Sequence, residues 1–295
     1  MSTRRQTRRL RIRRYLTRVR YAARASLMYS TPLAVWRAVL VRSKPQGRSE
    51  TIYRLRNGAA FRLQAGSHDL HVLNEVWLSR TYEPSPEFVV QPGWLVVDAG
   101  ANKGAYTVRA ALTDPTTRVV AVEPEPGNVE ALRANLALNR VSNVEIREVA
   151  LSSHDGDDVL HLSTRQGSAL HSLLPMTDDR AAALGVKRHQ ISDDEVTVQT
   201  STLDSLVSSI EHPIDLMKMD IEGSEYDVLH AASRETFQRL ARVVLEFHPT
   251  TSADVDAVGS SLFDLFTSHG FECARDNRRH ILSAVRAMGR SGGGT

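Results

Sequence analysis

Cysteine is almost missing from this 295-residue chain. Cys273 stands alone, which excludes an intrachain disulfide framework and any multi-cysteine zinc or iron–sulfur site, and suits a reducing compartment. Long apolar runs are missing too: the stretch Leu33–Val41 is too short to span a bilayer and is broken by Arg37, so no transmembrane helix is expected. Acidic residues are missing from positions 1–49, which carry 13 Arg and Lys44 for a charge of +14. Lysine is scarce everywhere, 4 against 33 Arg, and that bias weakens reading the acid-free start as an organellar transit peptide. The long Arg-rich lead without a clear cleavage site weakens a secretory reading in the same way.

What remains is ordinary globular composition, 41% hydrophobic and 24% charged, which excludes a wholly disordered, collagenous or coiled-coil protein. The net charge of +3 divides into the +14 arm and a body of −11. An acidic body gives no reason to expect specific nucleic-acid binding. The arm, with Leu10, Ile12, Leu16 and Val19 between its arginines, suits an anionic lipid surface, and a solvated tail drawn to the acidic body is the competing reading. The expected location is therefore the cytoplasm, with peripheral membrane contact through residues 1–49. Nothing in the sequence fixes an oligomeric state.

Four segments are expected: a flexible or amphipathic basic arm over 1–49, a hairpin-and-helix unit over 50–93, a main domain over 94–288, and a flexible Gly-rich tail over 289–295. Thr51–Leu55 and Phe61–Leu63 alternate around Asn57-Gly58, a pair suited to a tight hairpin turn, and apolar spacing predicts a helix over 69–80. Apolar runs at Leu95–Val97, Val119–Val122, Val144–Val149, Leu216–Met219 and Val243–Phe247 then alternate with helical segments. That rhythm predicts an α/β, Rossmann-like fold, a mostly parallel twisted sheet flanked by helices. Residues 152–200 read as an excursion of exposed loops and short strands. A helix over 255–269 and a closing hairpin, Phe271–Cys273 with His280–Val285, complete the chain.

Four strand ends carry the chemistry. Asp98-Ala99-Gly100-Ala101-Asn102-Lys103-Gly104 turns a strand into a helix with the spacing Asp-x-Gly-x-x-x-Gly, whereas a dinucleotide fingerprint runs Gly-x-Gly-x-x-Gly. Asn102 occupies the second glycine's place, so the loop can approach a ligand while Asp98 favours a cationic or amine-bearing group. Glu123 ends the next strand, where a carboxylate can accept from both hydroxyls of a ribose. Asp220 and Glu222 follow Lys218 at a third strand end. At the fourth, Glu246-Phe247-His248 ends a buried run, and a histidine can take a proton near neutral pH.

Together these segments resemble the FkbM family of methyltransferases, over roughly residues 61–248. The matching pieces are Asp98–Gly104, Glu123-Pro124, Val149–Ser152, Lys218–Glu225 and Leu245–His248. The resemblance implies an S-adenosyl-L-methionine-dependent class I fold and O-methylation of a small-molecule or glycosylated hydroxyl acceptor such as a sugar, polyketide or related secondary metabolite. It assigns Asp98, Gly100, Asn102 and Gly104 to the methionine and ribose end of the cofactor and Glu123 to the ribose hydroxyls. Adenine is expected near Val149 and Ala150, with Asp155 a further contact. Asp220, Glu222 and His248 face the acceptor, either His248 or Asp220 acting as base, and no metal is assigned. Lys103 departs from the small or apolar residue usual there. The alternatives are a catalytically silent Rossmann-like binding module and a nucleotide-dependent oxidoreductase, the latter disfavoured by the glycine spacing.

Overall fold

All five residues of β3 (Leu95–Ala99) and all four of β9 (Leu216–Met219) are buried, because each strand is covered on both faces and flanked on both edges. The computed structural model describes residues 19–33, 35–36, 50–64, 67–162, 171–175, 177–183, 194–250 and 254–287. Within it, β3, β4 (Arg118–Val122), β5 (Val144–Arg147), β9, β10 (Arg242–Glu246), β11 (Phe271–Asp276) and β12 (Ile281–Arg286) form one seven-stranded sheet in the order β11-β12-β10-β9-β3-β4-β5. The five strands from β10 to β5 run parallel and the closing hairpin is antiparallel, as expected of a class I Rossmann-like fold. The order reverses between β3 and β9. In open α/β sheets ligands bind at the carboxyl ends of strands at such a switch point.

The helices that follow these strands begin where the sequence allows them to. Helix α2 (Ala105–Ala111) starts at Gly104, and α3 (Pro126–Leu138) has Pro126 in its first turn and Glu125 as N-cap, accepting from the amides of Gly127 and Asn128. A two-stranded hairpin, β1 (Glu50–Arg54) with β2 (Ala60–Gln64), forms as the Asn57-Gly58 turn predicts; β2 packs against α3, and α1 (Asp69–Trp77) packs against α2 and β2. Phe61 and Leu63 join Leu132 and Leu136 in this second core.

Three expectations need correction. The run Val144–Val149 is not one strand: β5 stops at Arg147, and Ala150–Leu151 forms β6 in a separate three-stranded sheet with β8 (Glu195–Ser201) and β7 (Gly156–His161). The excursion therefore contains a sheet. Its core is small, with Ala150, Leu160 and Val198 buried, and the short strands expected there are longer than the polar positions around them suggested and pair with each other. The third correction concerns the first 49 residues. Residues 19–26 are helical and bury Ala22 and Ala25, while Tyr29 is fully hidden. The Tyr29 hydroxyl donates to Asn74 Oδ1 at 2.7 Å, the Asn74 amide donates to the Tyr21 hydroxyl at 2.8 Å, and the Arg56 amide donates to the Met28 carbonyl. The folded body thus begins by residue 19, its apolar side masked in the sequence by Arg20 and Arg24. Residues 1–18, 37–49 and the Gly-rich tail lie outside the described residues. Among the described residues no helix is long and apolar enough to cross a membrane.

Candidate functional site

The β3 loop is built on positive φ angles at Gly100 (77°), Asn102 (50°) and Gly104 (86°). Gly100 is required on a second ground: a Cβ there would lie 1.8 Å from the Asp220 carbonyl oxygen, so the loops after β3 and β9 touch backbone to backbone. The Gly100 and Ala101 amides both donate to the Val122 carbonyl at 3.0 Å, which ties in the end of β4. Lys103, the unusual residue of the motif, pairs with Asp69 at 2.7 Å and fastens the loop to α1.

Above these loops opens a cavity of about 530 Å³. It collects most of the sequence candidates: Gly100, Asn102, Glu123, Ala150, Asp220, Glu222 and His248 all line it. Asp98, Gly104 and Asp155 do not. Asp98 is fully buried beneath the loop, where it accepts from Thr107 Oγ1 at 2.6 Å and pairs with Lys218 at 3.2 Å. Gly104 faces Leu132, and its role is to turn the chain into α2. Asp155 is exposed and holds the start of α5 (Leu203–Ser208), accepting from the Thr202 amide and the Ser205 hydroxyl at 2.8 Å each.

One side of the cavity is shaped by Glu123, which is 5% exposed. Its Oε2 accepts from the Asn102 amide at 2.8 Å, and Oε1 accepts from the Glu125 amide and the Asn128 side chain at 3.1 Å each. Burial pushes its carboxyl up to about 7, against the lowering effect of those hydrogen bonds. Val149, Ala150 and Leu151 supply an apolar wall nearby.

The other side is acidic. Lys218, buried, donates to the Gly100 carbonyl at 2.8 Å and lies 4.0 Å from Asp220 Oδ2. Burial alone would lower its ammonium, but the Asp98 and Asp220 carboxylates prevail and hold it above its ordinary value. Tyr82 donates to Asp220 Oδ2 at 2.8 Å, and its hydroxyl also lies 3.3 Å from Glu246 Oε2. Asp220 Oδ1 is buried and has no hydrogen-bond partner among the described residues.

His248 Nδ1 lies 3.1 Å from Glu225 Oε1, and its Nε2 lies 3.6 Å from Glu222 and 4.0 Å from Glu246. Burial would discharge the imidazole, but the Glu225 and Glu222 carboxylates outweigh it and raise its pKa well above the usual value. Glu222 itself is raised by burial despite the nearby imidazole, and Glu246 is raised to about 8 by burial and the Asp220 charge. Asp220, Glu225 and His248 also bring ligand-type atoms within 4.8 Å of one another. Glu225 also accepts from the Ile221 amide at 2.9 Å and the Gly223 amide at 3.0 Å, which fixes its carboxylate beside His248.

Sequence reasoning did not assign Tyr82, Glu75 or Glu246 to this cavity. Glu246 carried a signal as an acid at a buried strand end. Tyr82 sits in a Pro-punctuated loop and Glu75 on α1, and neither position announces itself in the sequence.

The methyltransferase FkbM domain family matches residues 98–273, well over half of the chain. Among curated relatives, 31-O-demethyl-FK506 methyltransferase FkbM of Streptomyces tacrolimicus is 28% identical over 74% of this chain and 87% of its own length. Methyltransferase 1 of Beauveria bassiana is 26% identical over 58% of this chain and 70% of its own. The AMB antimetabolite synthetase AmbE of Pseudomonas aeruginosa is 26% identical over 68% of this chain, which spans only 10% of that protein.

Proposed function

The chain belongs to the FkbM methyltransferase family, and on that premise we propose that it transfers the methyl group of S-adenosylmethionine to a hydroxyl oxygen of a small-molecule or glycosylated acceptor. The observation that carries this reading is the cavity at the switch point, with a loop-and-carboxylate end at Gly100, Asn102 and Glu123 and an acidic end at Asp220. The relative named for 31-O-demethyl-FK506 supports oxygen as the atom methylated.

The Gly100–Asn102 loop and Glu123 hold the ribose and methionine part of the cofactor, and adenine lies along Val149 and Ala150. The sulfonium supplies an activated methyl that an acceptor oxygen attacks in line, so the chain's task is to position both partners and relieve the hydroxyl of its proton. Asp220 takes that role in preference to His248. The imidazole has Glu225 at Nδ1 and Glu222 and Glu246 facing Nε2, whereas Asp220 has Oδ2 fixed by Tyr82 and an Oδ1 without a hydrogen-bond partner among the described residues. His248 and Glu222 then orient the acceptor.

The test is S-adenosylhomocysteine release from labelled S-adenosylmethionine across a panel of hydroxylated sugars and polyketides. Asp220→Asn is expected to lower turnover on the order of 10²–10⁴-fold while leaving cofactor binding intact. Binding of S-adenosylhomocysteine with no transfer to any hydroxyl acceptor would favour the silent-module alternative. Transfer to nitrogen or carbon acceptors alone would overturn the choice of oxygen.

A further inference from the structure

Arg180 is a charged side chain in an unexpected place. It lies on α4 (Asp178–Ala183), in the excursion between β7 and β8, yet it is only 2% exposed. Its guanidinium makes no ion pair within 4 Å among the described residues and is spent on backbone and hydroxyl oxygens: Nη2 donates to the Glu222 carbonyl at 2.5 Å and to Ser172 Oγ at 2.9 Å, and Nη1 donates to the Leu174 carbonyl at 2.6 Å. Ser172 Oγ donates to the same Glu222 carbonyl at 2.6 Å. Two donors from the excursion therefore converge on one peptide oxygen of the β9 loop.

That peptide needs holding. Glu222 has φ +55°, a left-handed conformation that a residue with a Cβ adopts only where its surroundings enforce it. Gly223, which follows at φ +105°, leaves room for the clamp, since a Cβ there would lie 2.7 Å from Arg180 Nη2. The consequence of this backbone is the position of the Glu222 carboxylate, 3.6 Å from His248 Nε2 in the acceptor end of the cavity.

We propose that Arg180 is a positioning residue, which, with Ser172, clamps the Glu222 carbonyl from the excursion and thereby sets the Glu222 carboxylate against His248. A planar fork matches the task, because one guanidinium reaches the Glu222 and Leu174 carbonyls at once in a fixed relation that a lysine ammonium does not reproduce. The excursion is thus a part of the acceptor site as well as a lateral sheet. This inference rests on the acceptor role given above to Glu222 and His248, but its geometry stands without cofactor or acceptor.

The experiment follows His248 by NMR titration in the full chain with labelled histidine, the resonance assigned by loss in His248→Asn. Positioning and mere charge have opposite signs. Loss of an opposed carboxylate lowers an imidazole pKa, whereas loss of a neighbouring cation raises it. Glu222→Gln calibrates the effect of removing the carboxylate. Arg180→Lys, which keeps the charge and loses the fork, is expected to lower the His248 pKa by about one unit, approaching the Glu222→Gln value. Ser172→Ala, which removes one of the two donors and spares Arg180, is expected to produce a smaller fall and to stay folded. Binding of S-adenosylhomocysteine is expected to persist in both, so its loss in the parent chain would count against the cofactor reading rather than against the clamp. An unchanged or raised His248 pKa in Arg180→Lys and Ser172→Ala overturns the proposal.

Discussion

Lys218 Nζ lies 3.2 Å from Asp98 Oδ1, one strand across in register, with both side chains buried. The acid that opens the glycine loop is therefore the counterion of a lysine in the neighbouring strand. The lysine also reaches over the loop to the Gly100 carbonyl, so the pair fastens the β3 and β9 ends at the point where the cavity opens. Removing one partner leaves the other as an uncompensated buried charge. Lys218→Met is expected to cost about 3–5 kcal/mol by denaturant unfolding, and Asp98→Asn with Lys218→Met to recover most of it. Equal stability of the single and double variants would show that the pair is not coupled.

The raised carboxyl of Glu123 sets a pH dependence whose sign is fixed. Folding lifts its pKa from 4.5 to about 7, so the folded state holds a proton that the unfolded state has released. Its contribution to stability is full below pH 4.5 and is lost as pH rises through about 7. Glu123→Gln is expected to flatten the stability profile across this window in denaturant melts. Ribose hydroxyls donate to the ionised form, so wild-type affinity for S-adenosylhomocysteine is expected to rise across the same window and the variant's to stay level. A parallel pH profile for wild type and variant would remove Glu123 as its source.

The sequence made the sheet legible because its strands are covered on both faces and read as unbroken apolar runs, such as Val119–Val122 and Val243–Leu245. It made the strand ends legible as well, since Gly100, Glu123, Asp220 and His248 do meet in one cavity. What it hid was pairing across the chain. Asp98 looked like a ligand-facing acid because nothing local reveals that Lys218 stands beside it in the next strand. Asp155 looked similar, although it holds the Thr202 cap of a helix 47 residues onward. Nothing local to His248 reveals that Glu225, 23 residues earlier, stands against its Nδ1.

The same blindness applied at the N-terminus, where charge density concealed three contacts of Tyr21, Met28 and Tyr29 with the body. A chain starting at residue 19 is expected to melt like the full chain. One starting at residue 37 loses the buried Ala22, Ala25 and Tyr29 and is expected to lose about 2–4 kcal/mol. We propose that the lipid contact expected of residues 1–49 rests on their Arg-rich first 18, so pelleting with anionic vesicles is expected to require those residues and to fade at high salt. Equal pelleting of both chains, or equal melting of all three, would contradict these assignments.

We propose that the cavity at the switch point takes S-adenosylmethionine at its Gly100–Glu123 end and the acceptor at its Asp220–His248 end. Calorimetric titration of S-adenosylhomocysteine into the full chain and two variants tests it directly. Saturable binding of one ligand per chain is expected, weakened about ten- to hundredfold in Glu123→Ala by loss of a charge-assisted hydrogen bond, and retained in Asp220→Asn. No binding to the folded parent chain, or equal loss in the two variants, would contradict it.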